Sequence, residues 1–390
     1  MKVVFLTDSL SDLDGVGRYA VCLLKALQAR DPELEVQVLL ARKHRPTSES
    51  VPPSWPVEVV LPPDYFFYMS PLRFWVSLVQ STWRTWRVAR RADLVHAIKD
   101  YPHNLVGLLG ARLAGVPCVA TAHGTYTVQP VLDQRHRRLA AWAYRRFDGM
   151  ITVSAYTARR LADVLETTGI ELPRMRTIPN CVEVEPLEAE QHLGARPWHG
   201  LRFTLGVGET KERKGHHLAL AAWVQVAADH PDLHHFIVGR LSEDDYEQRL
   251  RSIAAEAGMA DRVHFLGNIT EAEKIDLQQR CEVFVHTPVT ASDGGFEGFG
   301  IVYLEASACG KPVIGTLECG AEDAIVDRVT GYLCEPEVES VRDALERLIA
   351  DPVLGARLGA QGRAHARSNT WARNADAVLA LYREILKVGR

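Results

Sequence analysis

Short apolar runs with polar tips recur along the chain, and stretches with helical spacing separate them. In the first half, KVVFLTD, EVQVLLAR, VEVVLPP, ADLVHAIKD, PCVATAHGT and GMITVSA read as buried strands. In the second half, LRFTLGVGE, LHHFIVGR, RVHFLGN, CEVFVHT, PVIGT and YLCEP do the same. Uninterrupted apolar runs of this length belong to strands covered on both faces, as in parallel sheets. Amphipathic stretches such as GRYAVCLLKALQAR and NLVGLLGARLAG lie between them as helices. Strand–helix alternation of this kind predicts the α/β class, with mostly parallel, doubly wound sheets. The alternation lapses from Glu183 to Gly200, a stretch with two prolines and no clear apolar run, and restarts at Leu201. Two domains are therefore expected, 1–183 and 201–369, joined by a linker at 184–200 and followed by a last helix over about 370–390. HRPTSESVPPSW, between 43 and 56, reads as loop.

Size and charge narrow the class. With 390 residues the chain exceeds what one core usually serves. Its 47% hydrophobic and 24% charged content are ordinary for a globular protein, and a net charge of -4 argues against a general nucleic-acid binder. Seven cysteines are scattered with no C-x-x-C spacing, so neither a disulfide framework nor a zinc site is indicated and a reducing cytoplasm is expected. MKVVFLTDSL opens directly as a strand, so no signal peptide is expected, and no apolar run approaches the ~20 residues of a spanning helix.

Candidate chemistry concentrates between Asp293 and Thr316, DGGFEGFGIVYLEASACGKPVIGT. The glycines up to Gly300 favour an open loop, Ile301 to Cys309 has no helix breaker, and Gly310 with Pro312 is a stop signal. The unit reads as strand, glycine-rich loop, helix, strand, with the loop at a strand's carboxyl end, where open α/β sheets bind ligands. Backbone amides near Gly300, Ile301 and Val302 would point out of the helix start toward a phosphate. Glu305 could accept two hydrogen bonds from a vicinal diol such as ribose, and Glu297 is placed to face another part of the same ligand. A solvated loop acid and a helix-surface acid are the plainer alternatives; the glycines flanking Glu297 weigh against them. A second cationic loop, GVGETKERKG, carries Lys211, Arg213 and Lys214 after a strand and before a helix, which suits a diphosphate. Of the polar residues just after strand ends, Asp8, His96, Lys99, His123 and Ser154, the most promising is His123, followed by Gly124 at its tip.

FEGFGIVYLEASACGKPVIG resembles the E-x7-E signature of retaining glycosyltransferases of the GT-B type, family 4. The resemblance implies two Rossmann-like domains facing a cleft, with the nucleotide-sugar donor on the C-terminal one and the acceptor on the N-terminal one. It also implies a last helix that crosses back to the N-terminal domain. His123, Glu297 and Lys214 then become catalytic candidates. The donor would be held by Gly17, Lys211, Arg213, Lys214, Gly239, Gly267, Gly298, Phe299, Gly300, Ile301, Val302 and Glu305. A UDP- or GDP-sugar would be a co-substrate, with no cofactor and no metal. The acceptor would be a glycan, a lipid or a small molecule. Glu209 stands where many members have an arginine, and Asp323 where glutamate is usual. These departures keep open a protein of the same fold that binds nucleotide sugars without transferring them. A nicotinamide enzyme is a weaker alternative, because no G-x-G-x-x-G follows the first strand.

The segment 66–91 interleaves Trp75, Trp83 and Trp86 with five arginines. The expectation is a core helix whose aromatic face packs on the sheet while its arginines are solvated. Peripheral membrane contact and an acceptor pocket are the alternatives.

Overall fold

The computed structural model describes residues 1–11, 14–42, 51–171, 174–242 and 244–388. The loop expected from 43 to 56 therefore lies partly outside the described residues. Two units emerge: Met1–Asn180 with Trp371–Arg390, and Cys181–Thr370.

Among the described residues the first unit contains seven strands, β1 (Lys2–Thr7), β2 (Glu35–Ala41), β3 (Val57–Leu61), β4 (Leu94–Ala97), β5 (Cys118–Ala122), β6 (Gly149–Thr152) and β7 (Met175–Thr177). They form one sheet in the order β3-β2-β1-β4-β5-β6-β7, and every pairing is parallel. Val3, Val4, Phe5, Leu6, Val38, Leu39 and Val119 are fully buried at its centre, as uninterrupted apolar strands require. β7 was not expected from the sequence, because MRT has no apolar run. Helix starts follow local chemistry. Asp14 accepts from the Gly17 amide at 2.7 Å, and Ser154 accepts from the Thr157 amide at 2.9 Å. The last helix, Trp371–Val388, belongs to this unit and packs along helix Gly15–Arg30.

The second unit repeats the plan with β8 (Arg202–Val207), β9 (Leu233–Val238), β10 (Val263–Gly267), β11 (Val283–Val285), β12 (Val313–Thr316) and β13 (Gly331–Cys334). Their order is β10-β9-β8-β11-β12-β13, again all parallel. Each sheet thus has its central strand between a neighbour that continues one way and one that continues the other. That reversal opens a crevice at the carboxyl ends.

One expectation is corrected. The stretch 184–200 is not a free linker but part of the second unit. Leu187 and Trp198 are buried, Trp198 Nε1 donates to Asp276 Oδ2 at 2.7 Å, and Gln279 Nε2 donates to the Leu187 carbonyl at 2.8 Å. Three apolar anchors, Val184, Leu187 and Trp198, dock a segment whose average composition reads as polar.

Candidate active site

In the second unit, the loop after β8 is clamped onto the loop after β11. Gly215 sits at φ +65°, and a Cβ there would fall 1.6 Å from the Thr287 carbonyl oxygen, so only glycine allows the approach. Thr287 Oγ1 closes the contact by donating to the Gly215 carbonyl at 2.8 Å. The clamp sets Lys214, at the end of a 3-10 turn (Glu212–Lys214), against Glu297. Lys214 Nζ donates to Glu297 Oε2, with Arg213 Nη1 at 3.6 Å and His286 Nε2 at 3.8 Å from the same oxygen. Burial alone would raise the Glu297 pKa. Lys214, His286 and Arg213 outweigh it and hold the carboxyl well below its ordinary range, so it is ionised at neutral pH.

The Glu297 backbone is fixed as well. Its carbonyl accepts from the Gly320 amide at 2.9 Å, and Gly320 abuts the Gly298 carbonyl so closely that a Cβ would lie 2.3 Å away. Phe299 is buried beside it. Gly300, at φ +80°, is the N-cap of helix Ile301–Ala308, and a Cβ there would meet the Tyr303 ring at 2.6 Å. The amides of Ile301 and Val302 lie in the first turn and have no acceptor within the helix, which leaves them oriented for an anion. Tyr303 Oη donates to the His286 carbonyl at 2.6 Å and ties this helix back to the end of β11.

Glu209 changes the cationic loop. It accepts from Arg213 at 3.1 Å and Arg240 at 2.8 Å, and Lys211 lies 3.2 Å away. Burial would raise its pKa, but Arg240, Lys211 and Arg213 bring it below the usual range. Lys211 and Arg213 are therefore both paired with the acid that stands where the resemblance leads one to expect an arginine. Beside them Gly208, Gly239 and Gly267 meet backbone to backbone. The Gly239 amide donates to the Gly267 carbonyl at 3.0 Å, and a Cβ on Gly239, at φ +137°, would lie 2.4 Å from the Gly208 oxygen. Glu209, Thr210, Lys211, Arg240, Leu241 and Ser242 line a cavity of about 290 Å³ at this edge. Glu305 is only 4% exposed, and its Oε2 accepts from Lys274 at 3.0 Å and lies 3.4 Å from Gln278 Nε2.

In the first unit, His123 follows β5. Its Nε2 donates to the Ile98 carbonyl at 2.9 Å, its amide donates to Asp100 Oδ1 at 3.1 Å, and the Tyr19 ring meets it edge-on at 4.8 Å. Burial, with Lys99 assisting, depresses its pKa despite Asp100, so the ring is neutral with Nδ1 as its acceptor nitrogen. Thr127 Oγ1 donates to Asp100, and Lys99 pairs with Asp8 at 2.6 Å. Gly17 serves the loop itself. Its amide is given to Asp14, and a Cβ would fall 2.6 Å from the Ser11 nitrogen. His96 is structural, held between Tyr382 Oη at 2.5 Å and Thr121 Oγ1 at 2.7 Å, with its pKa lowered to about 3 by burial.

Within the second unit the structure brings Glu297, Lys214 and Arg213 together, with the helix start at Gly300–Val302 in the same loop. It couples Glu305 to Lys274. Sequence reasoning missed His286, Asp100 and the pairing of Arg240 with Glu209. His286 and Asp100 are polar residues just past strand ends, which is the signal that selected His123. The pairing of Arg240 with Glu209 spans two loops and leaves no local trace.

A family model for glycosyl transferases group 1 matches residues 196–365, and one for glycosyltransferase family 4 matches residues 13–186. A GDP-mannose-dependent monoacylated alpha-(1-6)-phosphatidylinositol monomannoside mannosyltransferase of Corynebacterium glutamicum is 31% identical over 269 residues. That match spans 65% of this chain and 67% of that protein. The chain belongs to the family 4 glycosyltransferases. It moves a sugar from a nucleotide-sugar donor to an acceptor hydroxyl. A phosphatidyl-myo-inositol mannosyltransferase of Mycobacterium leprae is 28% identical over 382 residues, covering 96% of this chain and 94% of that protein. In fold, this glycosyltransferase is similar to Anabaena HepE, solved with UDP and glucose. The TM-score is 0.77 at 22% identity, over 97% of this chain and 98% of that one.

Proposed function

We propose that this family 4 enzyme retains the anomeric configuration of its donor and works without a metal ion. The observation that carries the reading is the buried, ionised Glu297 held against Lys214 in the loop that opens helix Ile301–Ala308. Glu297 is itself neutralised by Lys214, so it is better suited to orienting hydroxyls of the sugar ring than to attacking C1. Lys214, Arg213 and the first-turn amides would meet the charge that grows on the diphosphate as the glycosidic bond breaks. Cationic side chains and a helix N-terminus supply the role a metal takes elsewhere. The departing phosphate oxygen would accept the acceptor's proton on the face it leaves, which places the new bond on that same face. His123 Nδ1 would accept a hydrogen bond from a sugar hydroxyl. The ribose would reach Glu305 only if its diol joins or displaces Lys274.

The donor is proposed to be a GDP- or UDP-sugar and the acceptor a glycan, a lipid or a small molecule, in the cytoplasm. Relatives named for GDP-mannose-dependent transfer to phosphatidylinositol mannosides put GDP-mannose and lipid acceptors first in the panel. Purified enzyme should hydrolyse or transfer from one such donor in the presence of EDTA, with proton NMR of the product showing the donor's anomeric configuration. An inverted product, or activity abolished by EDTA and restored by a divalent ion, would refute the respective half. Binding of a nucleotide sugar without turnover across a broad acceptor panel would leave only the non-transferring alternative.

A further inference from the structure

Helix Pro71–Ala89 is inside out. Its buried residues are Phe74, Leu78, Ser81, Thr82, Thr85 and Ala89, half of them hydroxyl-bearing. Its exposed side carries Leu72, Val76, Val79 and Trp83, at successive spacings of four, three and four residues, which is one stripe of an α-helix. Leu72 is 76% exposed, Val79 66%, and Trp75 and Trp83 51% each. The expected orientation, aromatic face on the sheet, is thus corrected for two of the three tryptophans.

The reason is close packing against helix His103–Ala114. A Cβ on Gly110 would fall 2.5 Å from Thr85 Cγ2, so at this crossing only small side chains fit the inner face. The stripe is consequently held outward, and rotating the helix would drive Trp83 into that contact. Contiguous exposed apolar surface of this kind marks an interaction site.

Charge selects the partner. Between 65 and 91, and between 134 and 146, the chain has ten arginines and no acidic residue, within a protein of net charge -4. The two segments adjoin: the Arg135 guanidinium sits 5.7 Å from the Phe74 ring centroid, and His136 stacks on Phe67 at 4.4 Å. Arg87 lies over the Trp83 ring at 4.9 Å, the pairing of an interfacial aromatic with a cation that reaches toward phosphates. At the far end of the helix, Lys2, Arg84, Arg87, Arg90 and Arg91 line a cavity of about 400 Å³, with Glu58 as the acidic member of its wall. Lys2 opens β1, so this cavity lies at the amino edge of the sheet, away from the strand tips that carry His123.

We infer that helix Pro71–Ala89 is a docking face for an anionic phospholipid bilayer, with the stripe Leu72–Val76–Val79–Trp83 entering the acyl boundary and the arginines engaging phosphates. No described helix is long and apolar enough to span a membrane, so the contact is peripheral. The stripe starts just after β3, at the carboxyl edge of the sheet. His103 Nε2 is bonded to the Pro62 carbonyl at 2.9 Å, and the Tyr101 hydroxyl pairs with His136 Nδ1 at 3.0 Å. These ties join segments beside the docking face, at Pro62 and His136, to the stretch just after Lys99. A bilayer on this face would border the strand tips to which the proposed function assigns the acceptor.

The test is sedimentation of the full chain with vesicles of phosphatidylcholine, with and without phosphatidylglycerol. It reads binding directly and does not depend on the catalytic roles above. The protein should bind the anionic vesicles and be released by salt. Leu72→Glu combined with Val79→Glu should weaken binding about tenfold or more, and Arg84→Glu with Arg87→Glu about as much. Val353→Glu, at another exposed apolar residue in the other unit, should change nothing. Unchanged thermal midpoints show that the variants fold. No binding by the parent, equal binding to both vesicle types, or binding that survives the stripe variant would overturn the inference. So would light scattering that shows a parent dimer converted to monomer by the stripe variant, which would assign the face to a second copy of the chain.

Discussion

The sheet of the first unit and the sheet of the second share one strand order from edge to edge, apart from the added β7, yet their carboxyl tips carry different chemistry. At the tips of β8, β9 and β11, acids and bases are packed together in closed ion groups: Glu297 with Lys214 and Arg213, and Glu209 with Lys211, Arg213 and Arg240. Among the described residues at the tips of β1, β4 and β5, Lys99 pairs with Asp8, and Asp100 accepts from the amide of the neutral His123, whose ring donates to the Ile98 carbonyl. One scaffold therefore carries two multi-membered ion groups at one set of tips and a neutral histidine beside the Lys99–Asp8 pair at the other. A highly charged donor suits the first and a sugar or acceptor hydroxyl the second. The second unit also pairs these cations with its own acids, so at the proposed donor site a diphosphate would compete with Glu297 and Glu209 for them.

The most disruptive test removes the second unit's central pair. Lys214→Met should lower kcat by about 10²–10³-fold, and Glu297→Gln by a comparable factor. Steady-state kinetics with the best donor would check this, and near-parent rates in either variant would dissolve the contrast between the halves. His123→Ala attacks the first unit's tips. Loss of one hydrogen bond to a sugar hydroxyl should lower kcat about tenfold, leaving nucleoside diphosphate affinity by calorimetry unchanged. A large loss of nucleotide affinity would instead place His123 in the donor site.

Acid should separate the units by stability. His96 in the first unit and His216 and His235 in the second are held neutral, with pKa values of about 3 set mainly by burial. Below about pH 6.5 the unfolded chain takes up protons that these folded histidines refuse. Stability is then lost as pH falls toward 3, on the order of 1 kcal/mol per histidine per pH unit. Burial also depresses His123 and His136 in the first unit, and His217, His234, His264, His286 and His365 in the second, which leaves the second unit the more sensitive. Scanning calorimetry at pH 7.5 and 5.5 should show the second unit's transition moving further down, and equal movement would count against the assignment. The smallest effect is expected at Glu209. Glu209→Gln should tighten nucleoside diphosphate binding a few-fold, about 0.5–1 kcal/mol, by releasing Arg213, Lys211 and Arg240 from a competing carboxylate. Weaker binding in that variant would mean that Glu209 positions those cations rather than competing with them.

Much of the fold was legible because buried parallel strands are written as continuous apolar runs, and twelve of them stand out between clear helices. β7 was hidden because MRT has no apolar run, whereas the equally short VFV of β11 has one. The stretch 184–200 was misread because three buried side chains, Val184, Leu187 and Trp198, decide its docking while its other residues set its average character. The site was legible where the chain is locally constrained. Gly300 before a helix, Glu297 three residues earlier and the cationic loop ending at Gly215 are short-range features. The exposed stripe of helix Pro71–Ala89 was not legible, since an amphipathic pattern shows two faces without saying which one the neighbouring helix will accept.

By itself the sequence determined the class, the two-unit plan and the identity of the central loop, because periodicity, glycine placement and the E-x7-E spacing are properties of neighbouring residues. Only the tertiary structure decided which charges meet. Lys214 reaches Glu297 across 83 positions because Gly215 has no Cβ to keep it from Thr287. Arg240 reaches Glu209 across 31 positions because two strands end side by side. It also decided that the helix of residues 71–89 turns its apolar stripe outward, through the space left by Gly110. Such choices depend on the packing of segments distant in the chain, where a missing methyl group sets the distance of approach.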